Sequence, residues 1–152
     1  MRTVRLPAPG DLAAEFLPHA APFVLLDRIL MIDGALGRFS KCIATDDPLI
    51  GRAGVLPPLL MVEAMAQGAG IVLACQSPRL LGRGIAVLAA VDHCEVRRTV
   101  RAGDVLLVEA EILRRHGNIA RVRGLTSVGN HMCATAELTL ALADVAAAPG
   151  EG

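Results

Sequence analysis

One segment constrains the fold of this chain more than any other. Residues 59–74 read LLMVEAMAQGAGIVLA and are apolar almost throughout, yet they include a carboxylate, Glu63, and an amide, Gln67. The segment approaches the roughly 20 residues that a membrane crossing needs, but its two polar side chains and the strand-like patterns around it favour a buried helix. Because a helix that is apolar on nearly all sides must be covered by other elements, the sequence predicts a central core helix and no membrane span.

Strand-like segments on both sides of this helix provide the cover. Two of them, residues 24–32 and 38–45, precede the helix and are joined by a hairpin-type turn at Asp33-Gly34. Four more follow the helix, and the first of these is expected to bend or divide near Asp92. Their predicted ranges are 85–100, 105–113, 119–128 and 132–142.

Apolar and charged residues alternate along these strands, as in the run from Val108 to Ile112. Such alternation predicts a sheet with one solvated face and one face packed on the helix. The predicted fold class is therefore α+β, with a curved antiparallel sheet wrapped around one long central helix.

Length and composition narrow the function classes. The chain has 152 residues, enough for one domain with a sizeable core. Its 15 Lys and Arg residues balance 15 Asp and Glu residues, and only 2% of its residues are aromatic. Without excess positive charge or a stacking platform, the chain is not expected to bind nucleic acid.

The termini and the cysteines carry further expectations. We expect a lead-in at residues 1–16, one domain at 17–143 and a flexible tail at 144–152. The N-terminus lacks a continuous apolar stretch before Asp11, which argues against a signal peptide and for a cytoplasmic protein. The four cysteines are far apart, without a C-x-x-C pair, so they predict buried thiols and no metal site.

Four ordered segments resemble a known family. They are LPHAAPFVLLDRIL at residues 17–30, VEAMAQGAG at 62–70, LAAVDHCEVRRTVRAGDVL at 88–106 and ATAELTLAL at 134–142. They resemble the FabZ/FabA group of 3-hydroxyacyl-(acyl-carrier-protein) dehydratases, which have the hot-dog fold. The resemblance implies a homodimer or hetero-oligomer of hot-dog subunits with an acyl tunnel between them. It also implies a substrate carried on the phosphopantetheine of an acyl carrier protein, and no cofactor.

The resemblance assigns the catalytic carboxyl to Glu63, but it leaves the family's second catalytic group without a counterpart. In the family, a His-x-Phe-Pro element before the central helix supplies a histidine from the opposite subunit. Here residues 46–60 read DDPLIGRAGVLPPLL and contain no histidine, and Arg52 follows Gly51 where the histidine would follow a glycine. This loop is similar to that of dehydratase-like subunits of aryl polyene pathways.

Dehydration of a 3-hydroxyacyl thioester needs a base for the α-proton and an acid for the departing β-hydroxyl. Burial of Glu63 in the apolar helix would favour its protonated form, which suits it to donate that proton. Gln67, one turn later, is expected to orient the carboxyl or bind substrate. Pro58 replaces a glycine whose N–H holds the thioester carbonyl in the family, so the Leu59 or Leu60 N–H is expected to substitute.

The remaining candidates each have a functional and a structural interpretation. His19 lies in the family's Leu-Pro-His motif near the tunnel mouth, where it normally accompanies the catalytic histidine without replacing it. Glu63 paired with Arg52 at a subunit boundary is the structural alternative for the carboxylate. The other histidines are expected to be packed or solvated; they are His93, His116 and His131.

Arg97, Arg98 and Arg101 form a local basic cluster. It is either a solvated strand end or a contact for the acidic surface or the phosphopantetheine phosphate of a carrier protein.

Three functions are compatible with these residues. The preferred one is a dehydratase-like subunit that acts on 3-hydroxyacyl carrier-protein thioesters and contributes Glu63 to a site that a His-bearing partner completes. The second is a thioesterase that uses Glu63 as a general base on water. The third is a noncatalytic acyl-binding or partner subunit.

Overall fold

The computed structural model describes residues 5–80 and 84–144. Residues 1–4 of the expected lead-in, and all but Asp144 of the expected tail, lie outside the described residues. Within the described part, six β-strands and one long α-helix follow one another, with two short 3₁₀ helices at Ala13–Phe16 and Pro78–Leu80. In chain order the main elements are β1 (Arg28–Asp33), β2 (Leu36–Cys42), α1 (Pro58–Gln76), β3 (Gly84–Val96), β4 (Val105–His116), β5 (Ile119–Val128) and β6 (His131–Asp144).

The six strands form one antiparallel sheet in the order β1-β2-β4-β5-β6-β3. The alternation expected along β4 is present, because its even-numbered residues from Leu106 to Ile112 are buried. Glu109 and Glu111, between them, are only partly buried. The α+β architecture predicted from the sequence is confirmed.

The helix α1 lies against the buried face of this sheet. It begins at Pro58, where a residue without an N–H is tolerated because the first turn has no intrahelical acceptor for that group. It ends at Gln76, and the Ser77 N–H donates to the Leu73 carbonyl at 2.9 Å. By length and hydropathy α1 is able to cross a membrane, but 67% of its apolar window is buried within the fold, as in a core helix.

Glycines allow α1 to approach the sheet closely. A Cβ on Gly68 of the helix would lie 2.8 Å from Cε2 of Phe39, which is fully buried on β2. A Cβ on Gly124 of β5 would lie 2.6 Å from Cγ of Met65. Side chains at these two positions would overlap the core, so close packing explains both glycines.

Strand β3 forms one edge of the sheet and is continuous but irregular. Its pairing with β6 shifts register between Leu88 and Ala90 and again between Asp92 and Glu95. Inside the second irregularity, His93 has a positive φ of 48°, which is uncommon for a residue other than glycine. The bend expected near Asp92 is therefore present, whereas a division of the strand is not.

The described part of the lead-in is held against β1 at the opposite edge. The Gly10 N–H donates to the Ile29 carbonyl at 2.7 Å, and the Ile29 N–H donates to the Asp11 carbonyl at 3.0 Å. Ala13 is fully buried. Residues 10–13 thus add to the sheet edge and to the core, while the domain boundaries themselves stay a prediction.

The cysteines differ from the expectation that all four are buried. Cys42 and Cys94 are exposed, and Cys133 is buried on β6. Cys75 is partly buried, and the expectation is wrong for the two exposed residues, because Cys42 is the last residue of β2 and Cys94 lies in the irregular part of the edge strand β3. Among residues 5–80 and 84–144, no group of three or more His, Cys, Asp or Glu side chains is placed to hold a metal ion.

Candidate active site

Gln67 is a buried residue of the site, and both ends of its side-chain amide are hydrogen-bonded. It is 3% exposed, and its Oε1 accepts a hydrogen bond from the Leu25 N–H at 2.9 Å. Its Nε2 donates to the Phe23 carbonyl at 2.8 Å and to Glu63 Oε1 at 3.3 Å. A backbone donor on one side and a backbone acceptor on the other determine which end of the amide is oxygen. Gln67 therefore contacts Glu63, as the spacing of four residues predicts.

Glu63 projects from the first half of α1 and is only partly buried. Its side chain is 34% exposed, so the expectation of a fully desolvated carboxyl is wrong. The reason is that Glu63 lines an open cleft. Oε1 is held by neighbouring side chains, whereas Oε2 has no hydrogen-bond partner among the described residues and is not enclosed. Oε2 is thus the oxygen available to a ligand.

His19 is the second side chain on this carboxylate. Its Nε2 lies 3.3 Å from Glu63 Oε1, although the two residues are 44 positions apart in the chain. Its Nδ1 is buried and has no hydrogen-bond partner in the described part of the chain. The imidazole thus faces Glu63 through Nε2, and Nδ1 is turned into the protein.

The cleft beside these residues has a volume of about 640 Å³. On one side it is lined by α1, and on the other by the first half of β3 and by Leu142 of β6. The segment from Phe16 to His19 forms a further wall, together with an ion pair between Arg5 and Glu15. Most of the remaining lining is apolar or small, which suits a hydrocarbon chain better than a charged ligand.

The start of α1 offers one of the two backbone donors expected there. The Leu60 N–H already donates to the Pro57 carbonyl at 2.9 Å, so it is not free to hold a thioester carbonyl. The Leu59 N–H belongs to the first turn, where a helix has no intrahelical acceptor for it, and the Leu59 side chain is 76% exposed. Of the pair, only Leu59 stays a candidate, and neither residue lines the cleft that Glu63 faces.

The predicted basic cluster begins directly after β3, where the Arg97 and Arg98 N–H groups both donate to the Cys133 carbonyl of β6, and only its last residue lies beside the loop that leads into α1. Arg101 forms an isolated bridge with Val55, and the Leu56 N–H donates to the Val100 carbonyl at 2.8 Å. Arg97, Arg98 and Arg101 are all exposed. Arg97 pairs with Glu95 at 3.0 Å, whereas the described residues provide no carboxylate partner for the other two side chains.

The other candidates lie elsewhere. His93, His116 and His131 are exposed and do not line the cleft. Arg52 is also exposed, and within the described chain the basic side chain in contact with Glu63 is His19, not Arg52. His19, which the Leu-Pro-His motif predicts to lie near the tunnel mouth, lies against Glu63.

Comparisons with known proteins identify the family of this chain. Residues 12–148 match the family model of ApeP-like proteins, described as ApeP dehydratase. The 3-hydroxyacyl-[acyl-carrier-protein] dehydratase FabZ of Geobacillus thermodenitrificans is 36% identical over 133 residues, which cover 84% of this chain and 90% of that protein. FabZ of Bacillus subtilis is 35% identical over 136 residues, covering 86% and 94%.

Among solved structures, the dehydratase heterocomplex ApeI:P from Xenorhabdus doucetiae superimposes with a TM-score of 0.79 at 20% identity, covering 90% of this chain and 92% of that one. A hypothetical thioesterase with coenzyme A from Streptococcus pneumoniae gives 0.61 at 12% identity, covering 76% and 84%. These two likenesses concern the fold alone, and they confirm the hot-dog architecture. On the family match over residues 12–148 and the FabZ relatives, the chain belongs to the ApeP-like dehydratases, a FabZ-like branch of the hot-dog proteins.

Proposed function

We propose that this chain is a dehydratase-like subunit that acts on 3-hydroxyacyl thioesters of an acyl carrier protein and supplies Glu63 as a proton-transferring group. The observation that carries the proposal is a carboxyl held through one oxygen by Gln67 and His19 while its other oxygen is open to a cleft of about 640 Å³. An apolar cleft with a few convergent polar groups is the usual form of a small-molecule site.

The reaction requires two proton transfers. A proton leaves Cα, the Cβ–O bond breaks, the Cα=Cβ bond forms, and the departing hydroxyl takes up a proton to become water. Glu63 Oε2 is suited to one of these transfers because it is open to the cleft. His19 is a poor candidate for the other, since its Nε2 is engaged by Glu63 and its Nδ1 is buried.

We therefore propose that a second hot-dog subunit supplies the missing group and that His19 and Gln67 are positioning residues. The Xenorhabdus doucetiae structure is of a dehydratase heterocomplex, and a heteromeric assembly of the present chain is part of the same proposal. The edge strand β3 is the proposed contact. It exposes Val87, Val91 and Val96, and an exposed apolar edge strand is a template for pairing with another chain.

The basic cluster is the proposed contact for the carrier protein. Arg101 lies beside the loop that leads into α1, and Glu63 lies in the first half of that helix. A phosphopantetheine arm docked at the arginines would extend toward the cleft with its thioester near Glu63. A carrier-protein substrate would also agree with a cytoplasmic location.

The test is hydration of a 2-enoyl thioester, the reverse of dehydration, by the purified chain alone and mixed with a His-bearing hot-dog subunit encoded beside it. We expect activity only in the mixture, and its loss in a mixture containing Glu63→Gln. Glu15→Gln is the matched control, because Glu15 lines the same cleft but pairs with Arg5. Full activity of the chain alone would refute the heteromeric mechanism, and full activity of the Glu63→Gln mixture would refute the role of Glu63.

A thioesterase is the second candidate, because a single carboxylate with one open oxygen is sufficient to activate water. Release of free thiol from an acyl thioester, abolished by Glu63→Gln, would favour it over dehydration. Absence of both hydration and thiol release, together with binding of acyl thioesters, would indicate a noncatalytic acyl-binding subunit.

A further inference from the structure

Gly70, near the middle of α1, is not explained by packing. Glycine is one of the least favourable residues inside a helix. At Gly68 the reason for glycine is a clash with Phe39, but a Cβ on Gly70 would have its nearest neighbour, Cβ of Ala86, at 3.6 Å, an ordinary contact. An alanine would therefore fit at position 70 and would favour the helix.

The space that a side chain at position 70 would occupy belongs to the cleft. Glu63, Gln67, Gly70 and Ala74 all line it, and their spacing of four, three and four residues places them in one stripe along α1. Ala86 and Leu88 of β3 lie across from this stripe, with Leu142 of β6 beside them. The cleft therefore continues from the carboxyl toward the C-terminal end of α1, between small and apolar side chains.

We infer that Gly70 sets the width of an acyl-chain channel and thereby admits acyl groups that extend past position 70. The inference rests on the proposed function, because it takes the thioester to lie at Glu63. It adds the substrate class, namely acyl chains long enough to pass position 70.

The helix provides a scale for that length. At about 1.5 Å per residue, Gly70 lies roughly 10 Å beyond Glu63 along the axis, and Ala74 roughly 16 Å beyond it. An extended chain advances about 1.2 Å per bond, so about eight bonds separate the reacting carbons from position 70. A chain of about eight carbons ends before Gly70, one of about twelve passes it, and one of about sixteen reaches Ala74.

The experiment measures binding without chemistry. Unreactive acyl-pantetheine thioethers with chains of about eight, twelve and sixteen carbons are titrated by calorimetry into the wild-type assembly and into assemblies with Gly70→Val, Gly70→Ala or Ala74→Val. We expect Gly70→Val to leave the eight-carbon probe within about twofold. It should weaken the twelve-carbon probe about tenfold, as expected when two methylenes lose their burial, and the sixteen-carbon probe by more, because more of its methylenes lie beyond position 70. Gly70→Ala should show a smaller loss for the same two probes.

Ala74→Val is the matched control, because it lies farther along the same stripe and should weaken only the sixteen-carbon probe. Thermal unfolding of each variant checks the fold, and Gly70→Ala should melt above wild type. An equal loss for all chain lengths, or no loss for any, overturns the inference, as does a wild-type assembly that binds no probe because a partner subunit fills the cleft.

Different experimental results would refute the proposed reaction and the inference about Gly70. Length-dependent binding without hydration activity leaves the inference standing and refutes the proposed reaction. Hydration activity whose chain-length profile is the same in Gly70→Val refutes the inference alone.

Discussion

Replacement of Gln67 by methionine tests whether its side-chain amide stabilises the segment from Phe23 to Leu25. Methionine has a similar length and helix propensity, so Gln67→Met removes the hydrogen bonds with little change in volume. Two backbone groups lose their partners, the Leu25 N–H and the Phe23 carbonyl. Both groups belong to the backbone and remain in the variant, so each must either bind water or stay unpaired.

The expected cost follows from the burial of the two groups. Leu25 is 2% exposed, so its N–H loses its partner in a dry environment, which costs about 1–3 kcal/mol. Phe23 is exposed, so its carbonyl loses only the net value of one hydrogen bond, about 0.5–1.5 kcal/mol. The free energy of unfolding should therefore fall by about 2–4 kcal/mol, which lowers Tm by about 5–15 °C for a chain of this size.

Thermal and urea unfolding followed by circular dichroism measure this change. Gln76→Met is the matched control, because Gln76 is exposed at the last turn of α1 and should change the unfolding free energy by less than about 0.5 kcal/mol. Equal stability of Gln67→Met and wild type would contradict the reasoning, since it would mean that the segment from Phe23 to Leu25 does not depend on the amide. Hydration activity should fall as well, because Glu63 loses the donor that orients it.

Three other perturbations follow from the placement of exposed and buried side chains. Arg101→Glu should raise the KM for a carrier-protein thioester but not the KM for a pantetheine thioester. Arg114 is exposed on β4, and the control Arg114→Glu should change neither KM. Equal effects of Arg101→Glu on both substrates would exclude a carrier-protein contact. Burial raises the pKa of the Cys133 thiol, so this thiol stays protonated to higher pH. At mildly alkaline pH, iodoacetamide should therefore label the exposed Cys42 well before Cys133, which mass spectrometry can measure. Val91→Lys on the edge strand β3 should reduce the assembly size measured by analytical ultracentrifugation, and an unchanged mass would exclude that edge as the contact.

The extent to which the sequence predicts this fold depends on where each segment finds its partner. Strand β5 was predicted at its observed bounds, Ile119–Val128, because turns flank it and its residues alternate on a half-buried sheet. The first strand was predicted at 24–32 but begins at Arg28. The difference has a specific cause, because the Leu25 N–H pairs with the Gln67 side chain instead of a neighbouring strand. An apolar pattern does not distinguish those two partners.

Prediction of the site from the sequence is limited in the same way. The family resemblance identified Glu63, and the four-residue helical spacing identified Gln67 as its neighbour. The contact between His19 and Glu63 was not predictable from spacing, since it depends on how residues 16–25 cross the open side of α1. Local patterns determine which residues share a helix face, whereas the packing of a distant loop determines what meets that face.

The apolar character of α1 on all sides has two different causes. On the side of Met61, Met65 and Gly68, the sheet covers the helix, and contacts with Phe39 and Gly124 leave no space. On the side of Glu63, Gln67, Gly70 and Ala74, the helix lines a cleft that is apolar along most of its length. A helix that packs on a core on one side and lines an apolar cleft on the other has no polar face. Its one carboxylate, Glu63, is the first residue of α1 that lines the cleft, which is why it is partly exposed and not buried as the sequence predicts.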